Sequence, residues 1–486
     1  MLRKISLFIL FLSLFSGLFS CRKDTLLTDT SARLKFSADT LLFDTVFTTI
    51  GSTTRHFLVR NTYNQPISIS NIRLAGGSNS PYKVNVDGWQ LNGNLANTKI
   101  AAKDSMYVWV KVTVNPLSGG PVIVADSLLF DVNGHRQHVI LEAIGQNVYL
   151  HKPTNYILLS DGSSVPYSKA ICGDVWKNDK PHLVFNYLVV DSACTLQMMP
   201  GTRVYMHNNA VLWVYKAGTL LINGSYNQPV NFSGDRLEAD YFSIPGQWGN
   251  IWLSALSKNN VIDWAVIRNG SVGLLVDTVD ASSGNPTLRL TNTRIFNMSV
   301  AGIYGRGASI VSDNIAVSNC AHYTLALTIG GSYSFRQCSF GDYYSTSTRN
   351  NASVILSNWY TDISNIRRIR NLDSANFLNC IIYGANADEL KLDSASSVST
   401  HFRYTFNNCL IASTMSVNGN CNFGCPNNNI FNQDPQFYDE VNNNLNIHTG
   451  SPAKGIGGNL LYPVLIDLNN ASRPPFGADA GAYQAH

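Results

Sequence analysis

Few side chains in this sequence are grouped in a way that chemistry could use. Asp235, Glu238 and Asp240 form the tightest acidic cluster of the C-terminal two-thirds. Oxygen ligands of this kind suit Ca²⁺, and the same spacing suits a solvated loop between strands. Arg367, Arg368 and Arg370 are a cationic cluster that could face an acidic glycan or line an exposed loop. Two aromatic pairs, Tyr343-Tyr344 and Trp359-Tyr360, share that stretch. Such rings stack on sugars, dock a protein partner or pack under a loop. His182, His207, His322, His401 and His448 show no regular pairing. Glycoside hydrolysis needs two carboxylates a few ångströms apart, and the chain has no Asp-Asp pair. A lyase needs a base and a cation or metal to stabilise an enolate. Spacing assembles neither set, so no catalytic residue, metal or cofactor is expected.

The cysteines are more regular. Cys338, Cys380 and Cys409 recur at one position of a repeat, which suits a buried column of small apolar side chains. No paired spacing with His supports a zinc site. Cys421-x-x-x-Cys425 and the Cys172/Cys194 pair are candidate disulfides in an oxidising compartment. Cys320 has no assignment. Asn319, Asn379 and Asn408 each precede a cysteine and suit hydrogen-bonded ladders in turns.

The elements that hold these residues are β-strands. The chain has 486 residues, 45% apolar and 14% charged, with 52 Asn against four Glu. That excludes disorder and argues against an α-rich enzyme. The 35 basic and 31 acidic residues give +4 formally, which offers no electrostatic case for nucleic acid. Residues 34–150 carry short alternating segments, among them Arg55–Arg60, Ile67–Leu74 and Met106–Val114, divided by turn residues. Period 2 with regular turns predicts an antiparallel β-sandwich. Farther on, one pattern recurs: apolar, two variable residues, a small residue, one variable residue, apolar. It begins at Ile262, Leu290, Val311, Phe335, Phe377 and Phe406, with spacings of 28, 21, 24, 42 and 29. A coil of this length cannot bury its apolar side alone, so stacking in parallel is required. The 42-residue interval predicts either an extra coil, with Val354-Ile355-Leu356 as its strand, or a protruding loop.

Three resemblances sharpen this. Residues 1–21 pair Arg3 and Lys4 with a short apolar run, as a secretory signal does. Their end, Leu18-Phe19-Ser20-Cys21, resembles a bacterial lipoprotein box, which implies acylation at Cys21 and a tether over 22–33. Arg22-Lys23-Asp24 resembles the charged start of lipoproteins displayed on the outer surface of double-membrane bacteria. Phe43-x-x-Val46, Val59-x-Asn61 and Leu141-x-Ala143-x-Gly145 resemble Ig-like domains of the ASPM/SPD-2/Hydin type, which are spacers and protein-binding modules. The series Leu196-x-Met198-x-Pro200-Gly201-Thr202, Gly218-x-Leu220, Trp248-Gly249-x-Ile251 and Asp479-x-Gly481-Ala482-Tyr483 resembles bacterial surface proteins of the right-handed parallel β-helix (pectate-lyase-like) superfamily. That resemblance covers roughly 180–486, with 151–180 as a cap. The polygalacturonase-like branch has Asn-Thr-Asp, Asp-Asp, Gly-His-Gly and Arg-Ile-Lys motifs. Only Arg368-Ile369-Arg370 echoes them, and Gly-His-Gly is missing. The expectation is a lipid-anchored outer-membrane protein facing the cell exterior, with an Ig-like stalk and a non-catalytic β-helix. Its expected role is that of an accessory subunit of an outer-membrane protein complex, such as a transporter or the β-barrel assembly machinery. The alternative is a polysaccharide-binding protein, lyase or hydrolase acting on an acidic glycan. Tyr343, Tyr344, Trp359, Tyr360, Arg367, Arg368 and Arg370 are the candidate contact residues for partner or glycan.

Overall fold

A computed structural model describes residues 25–116, 120–159, 161–278, 285–414 and 428–485. The signal segment, Cys21 and the Cys421/Cys425 pair lie outside the described residues. The chain divides after Asn147, so Val148–Leu150 belongs to the second unit rather than to the sandwich.

The first unit is a two-sheet β-sandwich. One sheet runs Lys35–Phe36, Arg55–Arg60, Ser105–Val112, Tyr82–Val86, Trp89–Gln90 in spatial order. The other runs Thr40–Phe47, His135–Gln146, Val122–Val132, Ile67–Leu74, Asn94–Ile100. Strand alternation places Phe57, Val59, Val108, Val110, Phe130 and Leu141 in a shared core. One expectation is corrected: Thr40–Phe47 pairs in parallel with His135–Gln146, so the sandwich is not wholly antiparallel. A second correction concerns the tether. Ala32 is buried, Leu27 packs on the core and donates its N–H to Pro66, and Asn133 donates to the Leu27 carbonyl. The described part of that stretch therefore belongs to the sandwich.

The second unit is a parallel β-helix. Its coils contribute to three long sheets of eleven, ten and nine strands among the described residues. Every ladder within them is parallel except the hairpin Asn155–Leu158/Ser164–Lys169, which closes the N-terminal end. The core is a stack of matching side chains. Phe335, Phe377 and Phe406 pile face to face at 5.3 and 4.8 Å between centroids. Cys338, Cys380 and Cys409 form the neighbouring column and are fully buried free thiols. The turn between them and the Phe column is held by residues at positive φ, including Asn292, Asn314, Gln337, Asn379 and Asn408. Asn tolerates that conformation, and Asn314 Nδ2 donates to Asn292 Oδ1 at 2.7 Å. Asn319 belongs to a different turn, in line with Asn269 and Asn297.

Two details of the repeat differ from expectation. Ser312, not Val311, is the partner of Leu290 and Phe335, so that coil is shifted by one residue. Phe335 pairs directly with Phe377, so the 42-residue interval is one enlarged coil and not two. Val354–Ser357 is the ordinary strand of that coil in the ten-stranded sheet.

The outer face of the eleven-stranded sheet is itself covered. Ala316, Ile381 and Leu410 pack against Phe437, Leu445, Ala480, Ala482 and Tyr483 from the C-terminal segment. Gly341 permits this approach, because a Cβ there would stand 2.8 Å from Leu445. Arg473 reaches Asn314, Gln337 and the Gly481 carbonyl, tying the segment to two earlier coils.

Candidate functional site

Among the described residues the C-terminal segment packs on the eleven-stranded sheet, and the ten-stranded sheet presents a different outer face. Its strands alternate, so Leu212 and Val214 point inward and Trp213 outward, as Ile251 and Leu253 flank the outward Trp252. In-register stacking carries the outward position through Val189, Trp213, Trp252, Leu275 and Tyr304. The Trp213 and Trp252 rings are stacked in nearly parallel planes, 4.8 Å apart between centroids and 10° from parallel. Tyr187 and Tyr215 meet the Trp213 ring edge-on. Two residues along the strands runs a polar column. Its centre is Asp277, which accepts from Trp252 Nε1 at 2.7 Å and from Arg306 Nε at 2.6 Å. Trp213 Nε1 has no hydrogen-bond partner among the described residues.

This column continues to Ser357 and Asp393, where the enlarged coil throws out a hairpin, Trp359–Thr361 against Arg367–Ile369. Trp359 Nε1 donates to Asp393 at 3.2 Å. The Arg367 guanidinium lies over the Trp359 ring, 4.1 Å from its centroid. Arg368 pairs with Asp362, whose carboxyl is held below the usual carboxylate range first by the Ile366 amide and then by the Arg368 guanidinium. The Arg370 amide closes the base of the hairpin on Asn358. Thus Trp359, Tyr360, Arg367 and Arg368 come together, beside the aromatic face.

Tyr343 and Tyr344 do not join them. Tyr343 sits edge-on against Phe437 and lines a small cavity with Tyr383, Asp434 and Glu440. Tyr344 donates its amide to Asp342. The loop that follows is anchored by a buried cluster that sequence reasoning missed. Arg349 grips both oxygens of Glu389, with Nη1 to Oε2 at 2.7 Å, and its Nε lies 3.4 Å from Asp342 Oδ2. Glu389 also accepts from the amides of Ser353 and Asn386. Burial pushes the Asp342 carboxyl up to about 7, against the pull of Arg349. Arg349, Asp342 and Glu389 are all buried and face one another, which is the arrangement of a clasp.

The acidic cluster also resolves into pairs. Asp235 bonds His207 at 2.6 Å, Glu238 bonds Arg236, and Asp240 sits in a short 3₁₀ turn, Ala239–Tyr241. No set of three or more His, Cys, Asp or Glu with metal-binding geometry occurs among the described residues. His401 bonds Asp373, and His448 stacks on Tyr438. Cys172 and Cys194 form a disulfide in the first coils. Cys320 is buried at the end of an eleven-stranded-sheet strand, its amide bonded to Asp342.

No family model and no curated protein matches this sequence. Among solved structures, the chain is similar to the catalytic unit of a GH87 α-1,3-glucanase from Streptomyces thermodiastaticus strain HF3-3. Identity is 12%, coverage is 73% of this chain and 75% of that one, and the TM-score is 0.33. A family 123 glycoside hydrolase from Clostridium perfringens is matched over 23% of this chain and 26% of its own length, at 10% identity and TM-score 0.17. An ASH/PapD-like domain of human CEP192 is matched over 26% of this chain and 96% of its own length, at 11% identity and TM-score 0.17.

Proposed function

We propose that this protein binds polysaccharide along the ten-stranded face of its β-helix, without cleaving it, while held at the outer membrane by acylation of Cys21. The observation that carries the reading is the outward column Trp213, Trp252, Leu275 and Tyr304 beside Asp277 and Arg306. Sugars offer apolar C–H faces and hydroxyl edges, and a strip of rings beside a strip of hydrogen-bonding groups complements both. Coils repeat at about 4.8 Å, so the strip is long and regular, as an extended chain requires. The Trp359/Arg367 hairpin lies at its end and would limit or grip that chain. The carboxylates nearest the rings, Asp277 and Asp393, are already hydrogen-bonded to Trp252 and Trp359. They serve as positioning groups rather than as an acid and a nucleophile.

Residues 343–370 are contact candidates for a protein partner and a glycan alike, and the separation of Tyr343 and Tyr344 from the hairpin makes that surface smaller for both. The stacked Trp213 and Trp252 outside that stretch are what support the glycan reading. In this reading the sandwich, which resembles Ig-like domains of the ASPM/SPD-2/Hydin type, is the spacer between the lipid anchor and a β-helix exposed to the cell exterior. The test is titration calorimetry of the purified chain against a panel of soluble polysaccharides, with product analysis by chromatography. Binding without turnover, weakened by Trp252→Ala or Trp213→Ala in a normally folded protein, is expected. Turnover that depends on Asp277 would overturn the non-catalytic part. Equal affinity of both variants, or no polysaccharide bound while a membrane protein co-purifies stoichiometrically, would overturn the whole.

A further inference from the structure

The sandwich carries a second aromatic surface, built on different principles from the first. In the sheet containing Arg55–Arg60 and Ser105–Val112, alternation sends Phe57, Val59, Val108 and Val110 inward. The outward positions fall into four rows across the strands. One end row pairs Lys35 with Arg60. The other pairs Lys83 with Lys111. Between them, Leu58 faces Tyr107, and His56 faces Trp109, which in turn faces Asn85. The three rings are contiguous, with His56 and Trp109 at 4.5 Å and Tyr107 and Trp109 at 5.7 Å between centroids.

Two properties make this more than a scattering of surface residues. Tyr107 and Trp109 retain 45% and 40% of their surface to solvent, at the centre of a strand and not at a fraying edge. Isolated exposed aromatics need no explanation, but a contiguous group on a rigid sheet does. The charge is also one-sided. Lys35, Arg60, Lys83 and Lys111 all belong to the outward rows, and none of the five strands contains Asp or Glu. The nearest carboxylates in sequence, Asp87 and Asp104, stand in the flanking turns. The cationic rows are separated by the length of the Ser105–Lys111 segment, about 20 Å at strand rise.

We propose that this face binds an acidic polysaccharide, one bearing uronate or sulfate groups. Sugar rings would lie across Tyr107 and Trp109, with their anionic groups reaching Lys83 and Lys111 at one end and Lys35 and Arg60 at the other. Asn85 and Gln90, paired across the edge of the sheet, supply neutral hydrogen-bonding groups beside the rings. The charge complementarity selects an anionic ligand, and the rings select one with stackable faces. This site is distinct from the β-helix face, whose Arg306 is neutralised by Asp277.

The test uses the full chain and two probes, a heparin oligosaccharide for sulfate and an oligogalacturonate for uronate, with a neutral dextran as comparison. Binding of at least one acidic probe, falling with added salt, is expected, with no binding of dextran at this face. Tyr107→Ala with Trp109→Ala should weaken acidic-probe binding by about tenfold or more. Lys83→Gln with Lys111→Gln should weaken it less and flatten its salt dependence. Phe476→Ala, at an exposed position that belongs to neither face, should leave it unchanged. Loss of acidic-probe binding in Trp252→Ala, with none in Tyr107→Ala/Trp109→Ala, would refute this site while leaving the β-helix reading intact. Tighter binding of a single-stranded oligonucleotide than of either acidic probe would also refute it. Because all four altered side chains point to solvent, unchanged melting temperatures will show that the variants are folded.

Discussion

Mild acid should loosen the β-helix at its N-terminal end, and two stacked histidines set the size of the effect. His151 Nε2 and His182 Nδ1 lie 3.0 Å apart, and the Trp176 ring stacks on His182 at 3.7 Å. Burial lowers His151 from 6.5 to about 4, with Asp174 opposing. Burial and the neighbouring His151 lower His182 from 6.5 to about 3, with Asp179 opposing. The unfolded rings therefore take up protons in a range where the folded ones do not. The stability they contribute is whole above about pH 6.5 and is lost as pH falls towards 4. At pH 5 the unfolded ring is largely protonated and folded His151 is not, a gap of about 1.5 units or about 2 kcal/mol. The pair together gives at most about twice that. Two groups act in the opposite sense. His207 is raised by its bond to Asp235 and Asp342 is raised by burial, so both favour the fold as pH drops. Both lie in later coils, so a global melt would mix the signs. Hydrogen–deuterium exchange on peptides spanning 149–184 separates them. Between about pH 7.5 and pH 5, after correction for intrinsic exchange, protection there should fall by about 30-fold for one ring's worth of free energy. His151→Gln with His182→Gln should flatten that dependence. Equal pH dependence in the double variant and the parent would refute the reasoning.

The remaining expectations concern the clasp, the thiol column and the anchor. Glu389→Ala strands a buried Arg349, which should cost about 3–5 kcal/mol in chemical denaturation, and adding Arg349→Met should recover much of it. A single variant as stable as the parent would show that the clasp contributes nothing. Cys380 should resist thiol reagents until the protein unfolds, because it is fully buried and burial raises its thiol well above the usual range. Cys380→Ala should be mild, whereas Cys380→Asp should cost several kcal/mol; rapid native labelling of Cys380 contradicts both. Cys21→Ala should abolish metabolic labelling with a fatty acid and leave precursor or soluble protein, and unchanged labelling would remove the lipid anchor from the proposal.

The strands of both units were legible because a buried face imposes its period on the sequence. Arg55–Arg60 alternates over its whole length and Ile67–Leu74 alternates on either side of a register shift between Ile69 and Asn71; both are strands with those bounds. Pairing direction leaves no such trace, which is why the parallel Thr40–Phe47/His135–Gln146 ladder is invisible in composition. In the β-helix, apolar residues at both Val311 and Ile310 obscured the register, while Asn314 at the left-handed turn marks it without ambiguity. Interval length alone could not tell an extra coil from an enlarged one, since both need about 40 residues at this repeat size. The functional surfaces were hardest to see. Trp213, Trp252 and Tyr304 are far apart in sequence and each reads as one more aromatic in a strand. Only the stacking of coils makes them neighbours. The same holds for Arg349 and Glu389, two charges in loops until the fold closes them on each other.

The C-terminal segment changes how this solenoid must assemble. A stack whose coils touch only their neighbours can grow from one end and tolerates truncation at the other. Here Arg294 donates to the Leu468 carbonyl, and Asn379 exchanges hydrogen bonds with Gly458. These ties bridge the middle of the stack to residues made well after it. A growing chain would hold Ala316, Ile381 and Leu410 uncovered until Phe437, Leu445 and Tyr483 had been made. Sequential growth therefore includes a late, long-range closure, and stability becomes a property of the closed stack rather than a sum over coils.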